Sequence, residues 1–324
     1  MSRGDVFRYL SRDDVISLGV TPSDVQTAIR GALIEKTHDA RTAGPPKAGV
    51  HPRPSAAVHA ATAFLPSSDS VGIKWIARYP ENPQSSGLPA CDGLFILNEG
   101  ATGRVLCVLD ASWLTELRTA VASALALSAV RPDGVDEVSL LGFGAQGRSH
   151  LAVLPQILPG LSRIRIHSRR PDQVRAELRQ LHQRVDGIVI DDPQDVLRDV
   201  PAVISAIPMT QPASPIYDAA CLLSNSAVIA IDFDAAWKPT IFDHIGLFAV
   251  DDVAQYRWFT RQGWFENYPS DPVDLSDILR GHIDAPQDQP VYVNCLGLGI
   301  EDVAVANLLF AAAEASNVGT MLDR

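Results

Sequence analysis

The sequence is poor in features that would commit it to the specialised protein classes. It has four cysteines in 324 residues (Cys91, Cys107, Cys221 and Cys295), far apart and with no paired spacing. That argues against a disulfide framework or a thiolate metal site and fits free thiols in a reducing compartment. No apolar run approaches the roughly 18 residues of a membrane span. The opening Met1-Ser2-Arg3-Gly4-Asp5 leads into no apolar stretch, so no secretory leader is expected and the protein is read as cytoplasmic. Basic charge is also short: 27 Lys and Arg against 38 Asp and Glu give a formal charge of −11, which disfavours nucleic acid or an anionic membrane as partner. His-Glu-x-x-His, a Walker loop and Gly-x-Ser-x-Gly are all missing, and the eight histidines are scattered, so no metal is expected.

What is present reads as two domains with different textures. Ser11-Arg12-Asp13-Asp14 and Thr21-Pro22-Ser23-Asp24 are helix starts, and Val25, Ile29, Ala32 and Leu33 share one helical face. From about 40 to 110, prolines punctuate strand-like runs at Val71–Ala77, Gly93–Leu97 and Val105–Leu109, suggesting a curled, mostly antiparallel sheet. An Ala-rich helix is expected over Leu114–Ala129. Beyond about 135, short apolar strands alternate with helices: Val138–Leu141, a helix to about Ile157 that Pro155 should kink or end, Ile164–His167, a helix near Gln173–Val185, then Gly187–Ile190, Ala202–Ala206, Ala227–Ile231 and Leu247–Val250. That pattern is α/β, a parallel Rossmann-type sheet covered on both faces. An apolar helix, Asp302–Ser316, closes the chain before Asn317-Val318-Gly319. The expected division is 1–122, joined by 300–324, as an α+β substrate-binding and dimerisation domain, and 123–299 as a dinucleotide-binding domain.

Gly142-Phe143-Gly144-Ala145-Gln146-Gly147 follows a strand and opens a helix. In that setting Gly142 permits the tight turn, Gly144 lets the backbone approach a pyrophosphate, and Gly147 allows close helix–strand packing. Ala145 and Gln146 start the helix whose free N–H groups would face the phosphates. The second strand of the unit ends in His167-Ser168-Arg169-Arg170, without the acid that would take a ribose 2′-hydroxyl. A hydroxyl and guanidinium groups at Ser168, Arg169 and Arg170 suit a 2′-phosphate, so NADP(H) is expected over NAD(H).

Several segments, in order, carry a family resemblance: Gly72-Ile73-Lys74-Trp75-Ile76, Tyr79-Pro80-Glu81-Asn82-Pro83, Leu114-Thr115-Glu116-Leu117-Arg118-Thr119-Ala120, the glycine loop with Ser149-His150, and Gly297-Leu298-Gly299-Ile300-Glu301-Asp302. From about residue 40 onward the chain resembles the ornithine cyclodeaminase/mu-crystallin family, which includes ketimine reductases and amino-acid dehydrogenases. The resemblance implies that Lys74 and Arg118 hold a substrate carboxylate, that Lys74 shares in catalysis, and that Lys47 adds a further cation. Thr119 is placed with the cofactor. It also implies a catalytic aspartate four residues before a lysine, which matches Asp234 before Lys238, with Asp232 as the alternative because the family's Pro-Gly is Ala236-Trp237 here. Where ornithine cyclodeaminases carry a glutamate for the substrate's side-chain amine, this chain has Ala63, which disfavours ornithine. Glu301 and Asp302 suit a helix start as much as a catalytic role. Trp237, Trp258, Trp264, Tyr256 and Phe259 read first as core.

The function expected from this resemblance is an NADPH-dependent reductase or dehydrogenase acting on the C–N bond of an α-imino or α-amino acid, as a homodimer. The alternatives are a cyclodeaminase with tightly bound NAD and a non-catalytic NADPH-binding protein.

Overall fold

The computed structural model describes residues 6–42, 44–180, 185–209 and 213–323. In chain order the elements are β1 (Val6–Leu10), α1 (Arg12–Ser17), α2 (Pro22–His38), β2 (Ala48–Arg53), β3 (Ala56–Leu65), β4 (Ser70–Arg78), α3 (Asn82–Ser85), β5 (Cys91–Glu99), β6 (Val105–Asp110) and α4 (Ala111–Val130). There follow β7 (Glu137–Leu141), α5 (Ala145–Ile157), β8 (Arg163–His167), α6 (Pro171–Leu178), β9 (Asp186–Val189), β10 (Ala202–Ser205), β11 (Ala227–Ala230) and β12 (Leu247–Val250). The chain ends with α7 (Val253–Arg261), β13 (Val273–Asp274), α8 (Leu275–Leu279), β14 (Val291–Asn294), α9 (Gly299–Ser316) and β15 (Thr320–Asp323). It divides into two compact units, Met1–Arg118 with Leu298–Arg324, and Thr119–Gly297.

The first unit holds a seven-stranded sheet in the order β15-β1-β6-β5-β4-β3-β2. It is antiparallel except where β1 lies parallel to β6. Ser11 and Thr21 cap α1 and α2 through capping boxes with Asp14 and Asp24, so the helix starts read from sequence are the ones used. Along β4, Gly72 and Lys74 point inward while Val71 and Trp75 point out, the period of two expected of a sheet covered on one face. A Cβ added at Gly72 would meet the Phe95 ring at 2.3 Å and Val303 Cγ2 at 3.0 Å, so the inner face packs closely on α9.

The second unit holds an eight-stranded sheet, β13-β12-β14-β11-β10-β7-β8-β9, parallel throughout. Its central strands β10, β11 and β14 are buried at every position, as a sheet covered on both faces requires. Helix α5 ends at Ile157, two residues after Pro155, so the proline falls in its last turn, where the helix stops. The helix expected over Gln173–Val185 is α6, ending at Leu178; positions 181–184 of that expectation lie outside the described residues. Arg131 is buried and donates to five main-chain carbonyls, those of Val130, Asn225, Ser226, Pro286 and Gln289, which ties the end of α4 to the strand starts. Among the described residues no helix is long and apolar enough to cross a membrane, and no cluster of His, Cys, Asp or Glu could hold a metal ion.

Candidate active site

The glycine loop leaves β7 at Gly142, whose φ of +100° is left-handed and whose missing Cβ would lie 2.5 Å from the Ala206 carbonyl oxygen. Gly147 is closed in as well: a Cβ there would meet the Gly142 carbonyl at 2.5 Å. Gly144 differs, because a Cβ would meet nothing within 4 Å. Two glycines therefore answer to packing, and the third leaves open space at the first turn of α5. The N-cap residue of that helix, Gly144, makes no side-chain cap hydrogen bond, the setting in which a helix start takes an anion. Thr119 Oγ1 is buried in the same unit and has no hydrogen-bond partner among the described residues. The residues present thus fit a dinucleotide phosphate.

His150, one turn along α5, is fully buried, and burial lowers its pKa to about 4, so it is neutral. Its Nδ1 lies 2.7 Å from the Gln146 carbonyl, which can only accept, so Nε2 accepts from Ser123 Oγ at 2.9 Å. The pair clamps α4 to α5 and keeps Gln146 at the loop. Beyond β8, Ser168 Oγ accepts from the Arg170 amide at 3.2 Å, and Arg169 and Arg170 are exposed at the strand end.

The two aspartates after β11 are held in different ways. Asp232 is saturated: Oδ1 accepts from Ser205 Oγ at 2.7 Å and Oδ2 from the Ile207 amide at 2.9 Å. Trp237 Nε1 in turn donates to Ser205 Oγ at 3.2 Å, which gives Trp237, in place of the family glycine, a fixed role at this point. Burial raises the Asp232 pKa to about 7. Asp234 accepts through Oδ2 from the Phe265 amide at 2.7 Å, while its Oδ1 is buried without a partner among the described residues. Burial again raises its pKa, against the Phe265 hydrogen bond. It lines a cavity shared with Trp237, Gly263, Glu266, Asn267 and Tyr268.

Strained backbone separates the two carboxylates. Phe233 between them has φ +59°, and Phe265 has φ +62°, both costly for a bulky residue. Asn294 Nδ2 donates to the Phe233 carbonyl at 2.8 Å, and Phe233 stacks on Phe265 at 5.4 Å. Phe259 and Trp264 meet it edge-on. The aromatic stretch is therefore core, as read from sequence, and this core imposes the turns that aim Asp234.

In the first unit, Lys74 and Arg118 are buried, 3% and 6% exposed. The sequence reading left the Lys74 ammonium to be met by a bound carboxylate. The protein supplies one itself: Lys74 Nζ lies 2.8 Å from both Asp302 oxygens. Arg118 Nε reaches Asp302 at 3.2 Å and Nη1 reaches Glu301 at 3.2 Å. The nearby Glu116 pairs with Arg12 at 2.9 Å. Burial lowers the Lys74 pKa to about 8, with Asp302 opposing and Arg118 adding to the drop. Lys47 acts on Glu301 electrostatically, so the three cations predicted from the resemblance share one neighbourhood with two acids. Helix α9 begins at Gly299, three residues earlier than the sequence suggested, which places Glu301 and Asp302 in its first turn. Two adjacent acids in an otherwise apolar helix were the available sign that they face buried cations. Ala63 is buried against the start of α9, where a Cβ added at Gly299 would come within 3.1 Å of its own.

A parallel sheet with a glycine turn after its first central strand, joined to a mixed sheet unit, defines a Rossmann-type two-domain protein of the dehydrogenase kind. The chain belongs to the ornithine cyclodeaminase/mu-crystallin family, whose profile matches residues 10–317. It is 28% identical over 320 residues to the nodulation efficiency protein NfeD of Rhizobium meliloti, covering 98% of both chains. It is 22% identical to the N-((2S)-2-amino-2-carboxyethyl)-L-glutamate dehydrogenase of Staphylococcus aureus, covering 78% of this chain and 77% of that one. Its fold matches the Thermococcus litoralis Δ1-pyrroline-2-carboxylate reductase, solved with NADH and L-proline, at a TM-score of 0.83 and 18% identity, covering 97% and 99% of the two chains.

Proposed function

We propose that the protein is an NADPH-preferring oxidoreductase that reduces the C=N bond of an α-imino acid, or oxidises the corresponding amino acid. The observation that carries this reading is Asp234: a buried carboxylate with one open oxygen, beside a cavity, at the carboxyl end of a parallel sheet where such folds bind ligands. Asp234 would exchange a proton with the substrate nitrogen, for which a carboxyl pKa raised by burial is suited. Lys74 and Arg118, with Lys47 nearby, would hold the substrate carboxylate, and the Lys74 ammonium would support charge at the reacting centre. Gly142, Gly144, Ala145, Gln146, Gly147 and Thr119 would hold the dinucleotide, with Ser168, Arg169 and Arg170 on a 2′-phosphate. When bound, that dinucleotide supplies or accepts the hydride.

Family membership and the dehydrogenase activity of the Staphylococcus aureus relative support the reaction class. The first unit would serve substrate binding and dimerisation. In support, Trp75 and Leu94, opposite each other on the outer sheet face, are 53% and 44% exposed. Reduction is favoured over cyclodeamination of ornithine because Ala63 offers no acid to a side-chain ammonium.

The test compares Asp234→Asn with Asp232→Asn in NADPH-coupled imino-acid reduction. Loss of about 10²–10⁴-fold in kcat is expected for Asp234→Asn, with NADPH affinity retained. A rate for Asp234→Asn equal to that of the unmodified protein would remove the assignment.

A further inference from the structure

At the carboxyl end of β10 one backbone donor lies beyond the reach of the sheet. Ser205, the last residue of β10, is level with Leu141 of β7 on one side and Ala230 of β11 on the other. One step on, the Ala206 amide still donates to the Leu141 carbonyl at 2.8 Å, and the Ser205 carbonyl accepts from the Ile231 amide at 3.0 Å. There the ladder stops, because β7 turns away at Gly142 into the glycine loop. The amide of half-buried Ile207 has no strand to meet, and such a group is costly to leave unpaired. A side chain serves it instead: Asp232 Oδ2 accepts from the Ile207 amide at 2.9 Å.

The same carboxylate is bound to Ser205, and Ser205 to the far end of the turn that carries Asp234. Ser205 Oγ donates to Asp232 Oδ1 at 2.7 Å and accepts from Trp237 Nε1 at 3.2 Å. Ser205 and Trp237 are fully buried and Asp232 is 1% exposed, so this chain of three is closed to solvent. The turn 232–237 is thus pinned at both ends to one hydroxyl on β10. The other side of the pin faces the glycine loop. A Cβ on Gly142 would come within 2.5 Å of the Ala206 carbonyl oxygen, and the Gly142 amide donates to the His167 carbonyl at 2.9 Å. Gly142 sits between the two, so a shift of Ala206 and Ile207 would press directly on the loop's first turn. A buried acid met only by neutral donors is a poor filler of space. What it adds over an apolar residue is two acceptors, one aimed at Ser205 and one at Ile207.

We propose that Asp232 and Ser205 are positioning residues for the dinucleotide: together they hold the turn after β10 against Gly142 and keep the glycine loop in its phosphate-binding shape. This rests on the reading of the glycine loop as the dinucleotide site. Because the same pair pins the Asp234 turn, the nucleotide loop and the proton-carrying carboxyl share one rigid support. Trp237 acts with them through its indole N–H, a donor that a glycine at this position would not have.

The test is fluorescence titration of the full chain with NADPH, alongside denaturant unfolding of each variant. Asp232→Ala is expected to weaken NADPH binding at least ~10-fold, because the Ile207 amide loses its acceptor. Asp232→Asn, which keeps an oxygen for Ile207, should recover most of that affinity. Ser205→Ala should weaken binding about 3-fold or more, and it takes the place of Asp232→Ala if that variant does not fold. Ser139→Ala removes another buried hydroxyl from the same sheet, one that donates to the Val196 carbonyl, and controls for lost stability alone. It should lower the unfolding midpoint and leave NADPH affinity unchanged. NADPH affinity equal to the parent's in both Asp232→Ala and Ser205→Ala overturns the proposal, as does a weakening that Ser139→Ala reproduces at a matched loss of stability. A parent chain that binds neither NADPH nor NADH overturns it together with the dinucleotide reading. Weakened binding in the variants of a chain that reduces no imino acid sinks the reductase reading and leaves the positioning pair standing.

Discussion

The two units bury carboxylates by opposite means. In the first, Glu301 and Asp302 are met by full charges, Arg118 and Lys74, at 2.8–3.2 Å. In the second, Asp232 and Asp234 are met only by neutral donors: a hydroxyl and backbone amides. Charge pairing fixes geometry, at a high cost of desolvation. Dipole pairing costs less and leaves the carboxyl able to gain a proton near neutrality. A clamp for a permanent anion needs the first arrangement, and a group that moves a proton needs the second.

The comparison breaks most visibly if one ion is removed. Asp302→Ala would leave two buried cations facing Glu301 alone, and a loss of about 3–5 kcal/mol in unfolding free energy is expected by denaturant titration. Asp232→Asn should cost less, about 1–3 kcal/mol, because one amide N–H₂ would face a donor that Asp232 now accepts from. A similar loss in the two variants would show that the ionic cluster is no more demanding than the neutral one.

The glycine loop sharpens the contrast between packing and ligand binding within one motif. Gly147→Ala should lower stability by roughly 1–3 kcal/mol, since its Cβ would press on the Gly142 carbonyl. Gly144→Ala should leave stability almost unchanged and weaken NADPH binding, measured by fluorescence titration. Unchanged nucleotide affinity in Gly144→Ala would detach the loop from the dinucleotide.

The smallest effect is a slope with pH. Burial raises the Asp232 pKa to about 7 from the ordinary carboxyl range near 4, so in that window the unfolded chain has already lost the proton that the folded one keeps. Its contribution is fully present below pH 4 and is lost as pH rises through 7. Stability curves across that window should fall less steeply in Asp232→Asn than in the parent. Lys74, lowered to about 8, works the other way above neutrality: its contribution is present above its unfolded pKa near 10.5 and is lost as pH falls toward 8.

Features written locally were legible in the sequence. The glycine loop is six consecutive residues following an apolar strand, and the caps at Ser11 and Thr21 need only the next three residues. The parallel strands of the second unit announced themselves as short apolar runs. Strand β3 did not, because Ala-Ala-Val-His-Ala-Ala-Thr-Ala has little β propensity; it is held as a strand by its ladders to β2 and β4. β1 and β15, at opposite ends of the chain, pair only through the fold.

The site followed the same division. Lys74 and Arg118 were recognisable by their motifs, but their partners lie 228 and 183 residues away, beyond any periodicity. Asp232 and Asp234, two residues apart in the sequence, differ in what their oxygens touch. That is set by Phe233 and Phe265, bulky residues in a left-handed conformation that no propensity would assign them.

The proposed reaction is hydride transfer between a nicotinamide and the α-carbon of an imino acid. The most direct measurement supplies NADPH deuterated at the transferable position, together with an imino acid, and locates the label in the product by NMR. One deuterium at Cα per NADPH consumed is the expected result. Product formed without deuterium at Cα, or ammonia released with no NADPH consumed, would contradict the account.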